Sequence, residues 1–345
     1  MAYKIESIPA DAVCKFCGEN IPRIGLGMAA LGRPGYINLG HNDDVTSKSV
    51  EDMRRQAASV LDAAEKIGVK YFDAARSYGK AEEFLSSWIE GKQFAPEDLV
   101  VGSKWGYYYT ADWQVDTGGE PHEVKEHSLS NLQKQTLLSD ELLGRSLNLY
   151  QIHSATLDSG VLENVEVLNE LAKMKDEKGW RIGLTLSGVA QAETLQKAML
   201  VSTPSGAPLF DCVQATWNLL EQSAGDALLA AHNAGMDVIV KEAMANGRLT
   251  DRNLDPEFAP KLEALQLVAK QMNTTVDALA LACVLAQPFN AMVLSGAACV
   301  EHLESNYAAT TAIQRLQVDT VIQLMETCKT EPQAYWTQRT NLAWN

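Results

Sequence analysis

Residues 69–91 read VKYFDAARSYGKAEEFLSSWIEG. Val69 to Asp73 is a short β-type run closed by a carboxylate. Ala81 to Glu90 reads as a helix, stopped by Gly91. The loop between them holds Arg76 and Tyr78, so the stretch is one strand–loop–helix unit. Working outward, the same unit recurs. On the N-terminal side lie a short strand at Ile24 to Gly27 and a helix over Glu51 to Gly68, with Met53, Ala57, Val60, Leu61 and Ala64 at helical spacing. On the C-terminal side come a strand at Asp98 to Lys104, a helix at Lys125 to Leu143 and a strand at Ser146 to His153. Three more units follow: helix Glu163 to Lys178 with strand Arg181 to Leu186, helix Ala192 to Leu200 with strand Asp211 to Thr216, and helix Ala224 to Ala234 with strand Met236 to Val240. Helices at Lys261 to Met272 and Val276 to Leu285, a strand at Ala291 to Ser295, and helices at Val300 to Thr310 and Thr320 to Cys328 complete the pattern.

Eight short apolar strands, each followed by at least one helix, fit parallel strands covered by helices. In a chain of 345 residues they favour an α/β protein of the closed (β/α)8 TIM-barrel type, with long loops at its C-terminal rim; an open doubly wound sheet is the alternative. The absence of linkers and low-complexity stretches predicts a single barrel domain over 1–345, with 1–20 as an N-terminal extension and 330–345 as a C-terminal tail. In either fold, chemistry belongs at the carboxyl ends of the strands.

Composition narrows the partners. A formal net charge of −15 argues against a nucleic-acid surface. No window resembles a membrane span and the N-terminus does not read as a signal peptide. Six scattered cysteines suit a reduced, cytoplasmic protein. Cys14 and Cys17 form a lone CxxC, read as two ordinary thiols near the surface, and no metal site is expected.

Four ionisable groups stand at or just beyond strand ends: Asp73 and Tyr78, Lys104, and His153. Singly, each is compatible with a helix cap, rim packing, a solvated charge or a core histidine. At successive strand ends of a barrel they would share one rim and suit carbonyl reduction. A phenol donates a proton to the oxygen that hydride transfer leaves charged, and an ammonium held by a carboxylate stabilises the phenolate. An imidazole hydrogen-bonds and orients the oxygen.

FDAARSYGKAEEFL, SKW, LYQIH, VQATWNLLE, NGRLT, ALACVLAQP and SGAACVEHLESN resemble, in order and spacing, segments of the aldo-keto reductases, and the likeness runs from IPRIGLGMAALG onward. The resemblance implies a barrel that binds NADP(H) or NAD(H) without a Rossmann fold; GLGMAALG lacks that fingerprint's third glycine. It implies Asp73, Tyr78, Lys104 and His153 as a catalytic tetrad, with Tyr78 as proton donor. It places Gly27 and Met28 near the cofactor, Thr185 and Gln214 on the nicotinamide amide, and Trp217 stacked on the ring. Thr185-Leu186 stands where the family has Ser-Asn; Leu186 cannot make a polar contact, and Ser187 is the candidate to replace it. KEAMANGRLT matches a loop around the pyrophosphate, with Glu242, Met244 and Gly247 at the cofactor; the carboxylate of Glu242 must turn away or pair with Lys241 or Arg248. Ser295, Gly296, Ala297, His302 and Asn306 match the grip on the adenosine end, where a helix N-terminus can take phosphate. Few cations stand there, so the chemistry leans to NAD(H) while family habit leans to NADP(H).

The long loop WGYYYTADWQVDTGGEPHE offers Trp105, Tyr107 and Trp113 as a substrate pocket for a small-molecule carbonyl or sugar, and the tail's Tyr335, Trp336 and Trp344 suit a lid. The sequence thus predicts an NAD(P)-dependent oxidoreductase acting on an aldehyde, ketone or sugar lactol. The alternative is a nucleotide-binding regulatory or sensor subunit of the same fold, motivated by the altered Thr185-Leu186 and Glu242 positions.

Overall fold

The computed structural model describes residues 3–345. Its strands in chain order are β1 (Val13–Phe16), β2 (Glu19–Pro22), β3 (Ile24–Gly27), β4 (Tyr71–Asp73), β5 (Val100–Trp105), β6 (Tyr107–Tyr109), β7 (Glu123–Lys125), β8 (Leu147–Ala155), β9 (Arg181–Leu186), β10 (Cys212–Thr216), β11 (Asp237–Lys241) and β12 (Met292–Ser295). The helices are α1 (His41–Asp44), α2 (Val50–Ile67), α3 (Ala81–Lys92), α4 (Leu129–Leu143), α5 (Val165–Lys178), α6 (Gln191–Ala198), α7 (Gly225–Asn233), α8 (Ala259–Gln271), α9 (Val276–Leu285), α10 (Val300–Tyr307), α11 (Ala309–Ala312), α12 (Val318–Cys328) and α13 (Pro332–Thr340).

Strands β3, β4, β5, β8, β9, β10, β11 and β12 pair in parallel in that order and close through β12 onto β3. The TIM-barrel expectation is met. Each strand–loop–helix unit turns its apolar outer face to helices. In α2, for example, Met53, Ala57, Val60, Leu61 and Ala64 are buried, Ser49 caps the start and Gly68 ends it in the left-handed region with φ 95°.

Three expectations shift. The helix expected from Lys125 begins at Leu129, because the Ser128 hydroxyl accepts the Asn131 N–H and caps it there. The residues before it form β7, which pairs antiparallel with β6, so the tyrosine-rich loop is a hairpin over the rim. The N-terminal extension is also a hairpin: β1 and β2 pair antiparallel and put Cys14, Phe16 and Ile21 against Tyr71, Val100, Leu149, Cys212, Ile239 and Met292. These are inward residues near the strands' starts, so the hairpin plugs the barrel floor. Cys14 is therefore buried in the plug and Cys17 half-buried at its turn, and burial pushes their thiols up to about 11 and about 12. Neither is a ready thiolate for metal. The tail forms α13 and returns to the rim, where Tyr36 and Asn345 exchange backbone hydrogen bonds of 3.1 Å each way.

Candidate active site

Asp73 ends β4 and is buried. Its Oδ2 accepts from Lys104 Nζ at 2.5 Å, and its Oδ1 accepts from Tyr71 Oη at 2.7 Å and from the amides of Gln151 and Gln214 at 3.3 Å each. Lys104, from β5, also donates to the Ala74 carbonyl at 2.8 Å, and its ammonium lies 4.7 Å from the centre of the Tyr78 ring. Tyr78 Oη stands 3.5 Å from His153 Nε2, and His153 Nδ1 is 3.4 Å from Ser77 Oγ. The structure thus brings Asp73, Tyr78, Lys104 and His153 from three strand ends into one cluster.

Tyr78 owes its seat to a close approach of two loops. A Cβ on Gly32 would lie 2.2 Å from the Tyr78 carbonyl oxygen, and one on Gly79, at φ 58°, would lie 2.4 Å from the Gly32 oxygen. Only glycine permits this contact. It also delivers Arg33, which the sequence reading missed. Arg33 is buried, pairs with Glu123 at 2.6 Å, donates to the Ser77 carbonyl at 3.0 Å, and sits 5.1 Å from the Tyr78 ring and 4.8 Å from that of Trp344. Its one sequence signal is an arginine between glycines just past the first strand. Arg76, in the opening stretch, forms an ion pair with buried Glu82, whose Oε1 accepts from Ser139 at 2.7 Å. It belongs to the scaffold behind the cluster.

Burial, then the charges of Asp73 and Glu123, push the Tyr78 phenol well above its ordinary pKa, with Arg33 opposing them. Burial and the charges of Lys104, Lys241 and Arg33 push His153 well below its own. The site therefore holds a protonated phenol beside a neutral imidazole. Ser77 Oγ is placed to donate to Nδ1; in the tautomer that accepts this bond, the imidazole carries its proton on Nε2.

A cavity of about 490 Å³ opens over the cluster. Gly27, Asp73, Gln214 and His153 line it from barrel strands, and Tyr78 from the loop after β4. Glu242, Met244 and Gly247 line it from the loop after β11; Ser295 from the end of β12, Gly296 and Ala297 from the turn after it; His302 and Asn306 from α10. Ser187 lines it as well, and so does Tyr107. Five expected contacts are elsewhere. Trp105 and Trp217 follow inward residues, so the period-two alternation of a strand turns them out into the helical layer. There Trp105 meets His127 and Trp217 meets Phe289, with ring centres 5.6 and 5.7 Å apart. The Thr185 hydroxyl is taken by the Ser154 N–H at 2.7 Å. Met28 is wholly buried in the core, and Trp113 is drawn aside by donating to the Lys48 carbonyl at 2.7 Å.

Glu242 resolves its apparent conflict through the tail. Its Oε1 accepts from Arg339 Nη2 at 2.7 Å, while Lys241 stands at 3.8 Å. Burial would raise this carboxyl, but the charges of Arg339 and Lys241 prevail and hold it at about 2. At the far end, α10 begins at Val300 just after Cys299, and the N-terminus of a helix can present backbone donors to an anion. Asn246, which also lines the cavity, has its Oδ1 buried without a partner among the described residues. Asp44, Cys299 and His302 are the one cluster among the described residues with ligand atoms close enough for a metal. Arg252 already fills it, 2.6 Å from Asp44 and 3.1 Å from His302.

A groove of mixed polar and apolar lining, with a phenol and an imidazole at one end and a helix N-terminus at the other, fits a dinucleotide. A sequence model described as the Aldo/keto reductase family matches residues 23–326. The chain is 25% identical to YqkF, an uncharacterized oxidoreductase of Bacillus subtilis, over 85% of this chain and 88% of that one. It is 25% identical to the L-galactose dehydrogenase of Arabidopsis thaliana, over 88% of each. Its fold is like that of the holo form of an aldo-keto reductase from Bacillus halodurans, with a TM-score of 0.66 and 17% identity over 93% of this chain and 98% of that one.

Proposed function

The chain belongs to the aldo/keto reductase family, and on that premise we propose that it moves hydride between NAD(P)(H) and a hydroxyl-bearing carbonyl compound, most readily a sugar in its aldehyde or lactol form. The nucleotide supplies or accepts the hydride; the chain positions the oxygen and handles the proton. His153 Nε2–H donates to the substrate oxygen, and Tyr78 Oη, 3.5 Å from that nitrogen, serves the same oxygen. In reduction Tyr78 gives up its proton. The phenolate left behind is steadied by the Lys104 ammonium against its ring, which Asp73 fixes from below. In oxidation the same phenolate takes the proton back.

The observation that carries this reading is the single locus faced by Tyr78 Oη and His153 Nε2, backed by a buried Lys104–Asp73 pair. The sugar class is supported by the wall around it. Arg33 and Glu123 form a fixed donor–acceptor pair, and Tyr36 and Trp344 add aromatic faces, a combination that suits hydroxyls on one side and ring C–H groups on the other. The relationship to L-galactose dehydrogenase points the same way. Gln214, Ser187 and the α10 N-terminus are the groups we assign to the nucleotide.

The test is titration with NAD(H) and NADP(H), followed by steady-state turnover on aldoses, aldehydes and ketones. Tyr78→Phe is expected to lose at least about a hundred-fold in kcat with nucleotide affinity retained. Equal turnover by this variant sinks the assignment. Nucleotide binding with no turnover on any substrate in either direction would favour a sensor subunit.

A further inference from the structure

The catalytic end of the cavity carries a cation beyond those its carboxylates hold. Asp73 holds Lys104 at 2.5 Å, Glu123 holds Arg33 at 2.6 Å, and Glu242 holds Arg339 at 2.7 Å. Lys241, the last residue of β11, lines the same cavity. Its Nζ donates to Thr216 Oγ1 at 2.9 Å, and its nearest carboxylate among the described residues is Glu242 at 3.8 Å, already engaged by Arg339. Three close pairs form and Lys241 only shares Glu242 with Arg339, so this end carries one cation more than it has carboxylates.

Strand register places this surplus charge. β10 and β11 run in parallel with Gln214 opposite Ile239 and Thr216 opposite Lys241. Lys241 thus lies one inward step beyond Gln214 on the neighbouring strand. Its charge reaches His153, whose proton affinity it helps to depress. If Gln214 meets the nicotinamide amide, the ring spans from Gln214 towards the Tyr78–His153 locus, and Lys241 borders that span. A nicotinamide ring is a cation when oxidised and neutral when reduced. An ammonium beside it repels one form and is nearly indifferent to the other.

We propose that Lys241 sets the affinity ratio between the two redox states of the nucleotide, weakening the oxidised form and so making the bound couple a stronger oxidant than the free one. The inference rests on the nucleotide site proposed above. It biases the enzyme towards oxidising its substrate. The bias is also adjustable: burial and the charges of Arg339 and Lys104, opposed by Glu242, bring the Lys241 ammonium down to about 8. The groups facing it are Glu242 beside it, Arg339 from α13, Lys104 from β5 and His153 from β8. Near pH 8 Glu242 is already ionised and His153 already neutral, so neither changes charge there.

The experiment is fluorescence titration of the wild-type protein and Lys241→Met with oxidised and reduced NAD(H) and NADP(H), from about pH 6.5 to about pH 9.5. Near neutral pH the variant is expected to narrow the oxidised-to-reduced Kd ratio by about ten-fold, nearly all through tighter binding of the oxidised form. In the wild type the same narrowing appears as pH rises through the Lys241 pKa, and in the variant the ratio stays flat. An unchanged ratio in the variant, with both forms still bound, overturns the proposal and leaves the nucleotide site standing. Binding of neither form by the wild type overturns the site itself. Should the variant not fold, a wild-type ratio that is constant across the pH series overturns the proposal alone.

Discussion

The fate of one proton turns on the surroundings of Tyr78. Burial and the carboxylates of Asp73, Glu123 and Glu242 make its phenol reluctant to ionise, and the charge of Arg33 opposes them. On the proposed mechanism, oxidation of an alcohol needs the phenolate, so its rate rises with pH until Tyr78 is ionised. Arg33→Gln removes the opposing charge and leaves Glu123 without its ion-pair partner. The rising limb of kcat against pH is therefore expected to move up by about one unit, with about a ten-fold slower oxidation at fixed pH. Arg33→Lys should recover part of both. A limb that stays in place would show that Arg33 does not act on the phenol. The tetrad was legible in the sequence because each member stands at a strand end or just past it. Arg33 was not, because a loop residue gains its neighbours only when Gly32 and Gly79 meet.

At the scale of elements, the two hairpins have different jobs. β1–β2 closes the barrel floor, with Phe16 4.7 Å from Tyr71 between ring centres. Phe16→Ala should cost about 3–5 kcal/mol in urea unfolding and leave nucleotide Kd unchanged, since the cavity opens at the other end. A loss of nucleotide affinity equal to the loss of stability would place the hairpin in the site. β6–β7 folds over the rim and supplies Tyr107 and Glu123 to the cavity. Neither hairpin was read from the sequence. Their short strands stand outside the recurring strand–helix pattern, and each hairpin is stabilised by surfaces far away in the chain. The helices and barrel strands were legible because their periodicity is local and repeated.

Across the whole molecule, the tail completes the site. Arg339 of α13 neutralises Glu242 across 97 residues of sequence, and Trp344 stacks on His122 with ring centres 4.0 Å apart above Arg33. The pair makes stability depend on acid. The Glu242 carboxyl titrates at about 2 in the folded chain, below its ordinary 4.5. Its contribution is therefore complete above pH 4.5 and is lost as pH falls from there towards 2. Arg339→Met should lower stability near neutral pH by about 1–3 kcal/mol, allowing for the partial exposure of the arginine. It should also flatten the acid limb of the melting temperature over that window. An acid limb as steep as in the wild type would show that Glu242 is held by other groups.

The sequence by itself determined the barrel and singled out the four ionisable groups at its strand ends, because strand–helix alternation and strand-end position are local properties that recur along the chain. The tertiary structure alone decided which side chains share the cavity. Alternation within strands sent Trp105 and Trp217 outward, a backbone N–H claimed Thr185, and loop packing brought Arg33, Glu123, Arg339 and Trp344 in. The same long-range closure settled the Asp-Ala-Ala-Arg-Ser-Tyr stretch from Asp73 to Tyr78. Its arginine went to the scaffold behind the site, and its aspartate and tyrosine met Lys104 and His153, because barrel closure brings residues distant in sequence within a few ångströms.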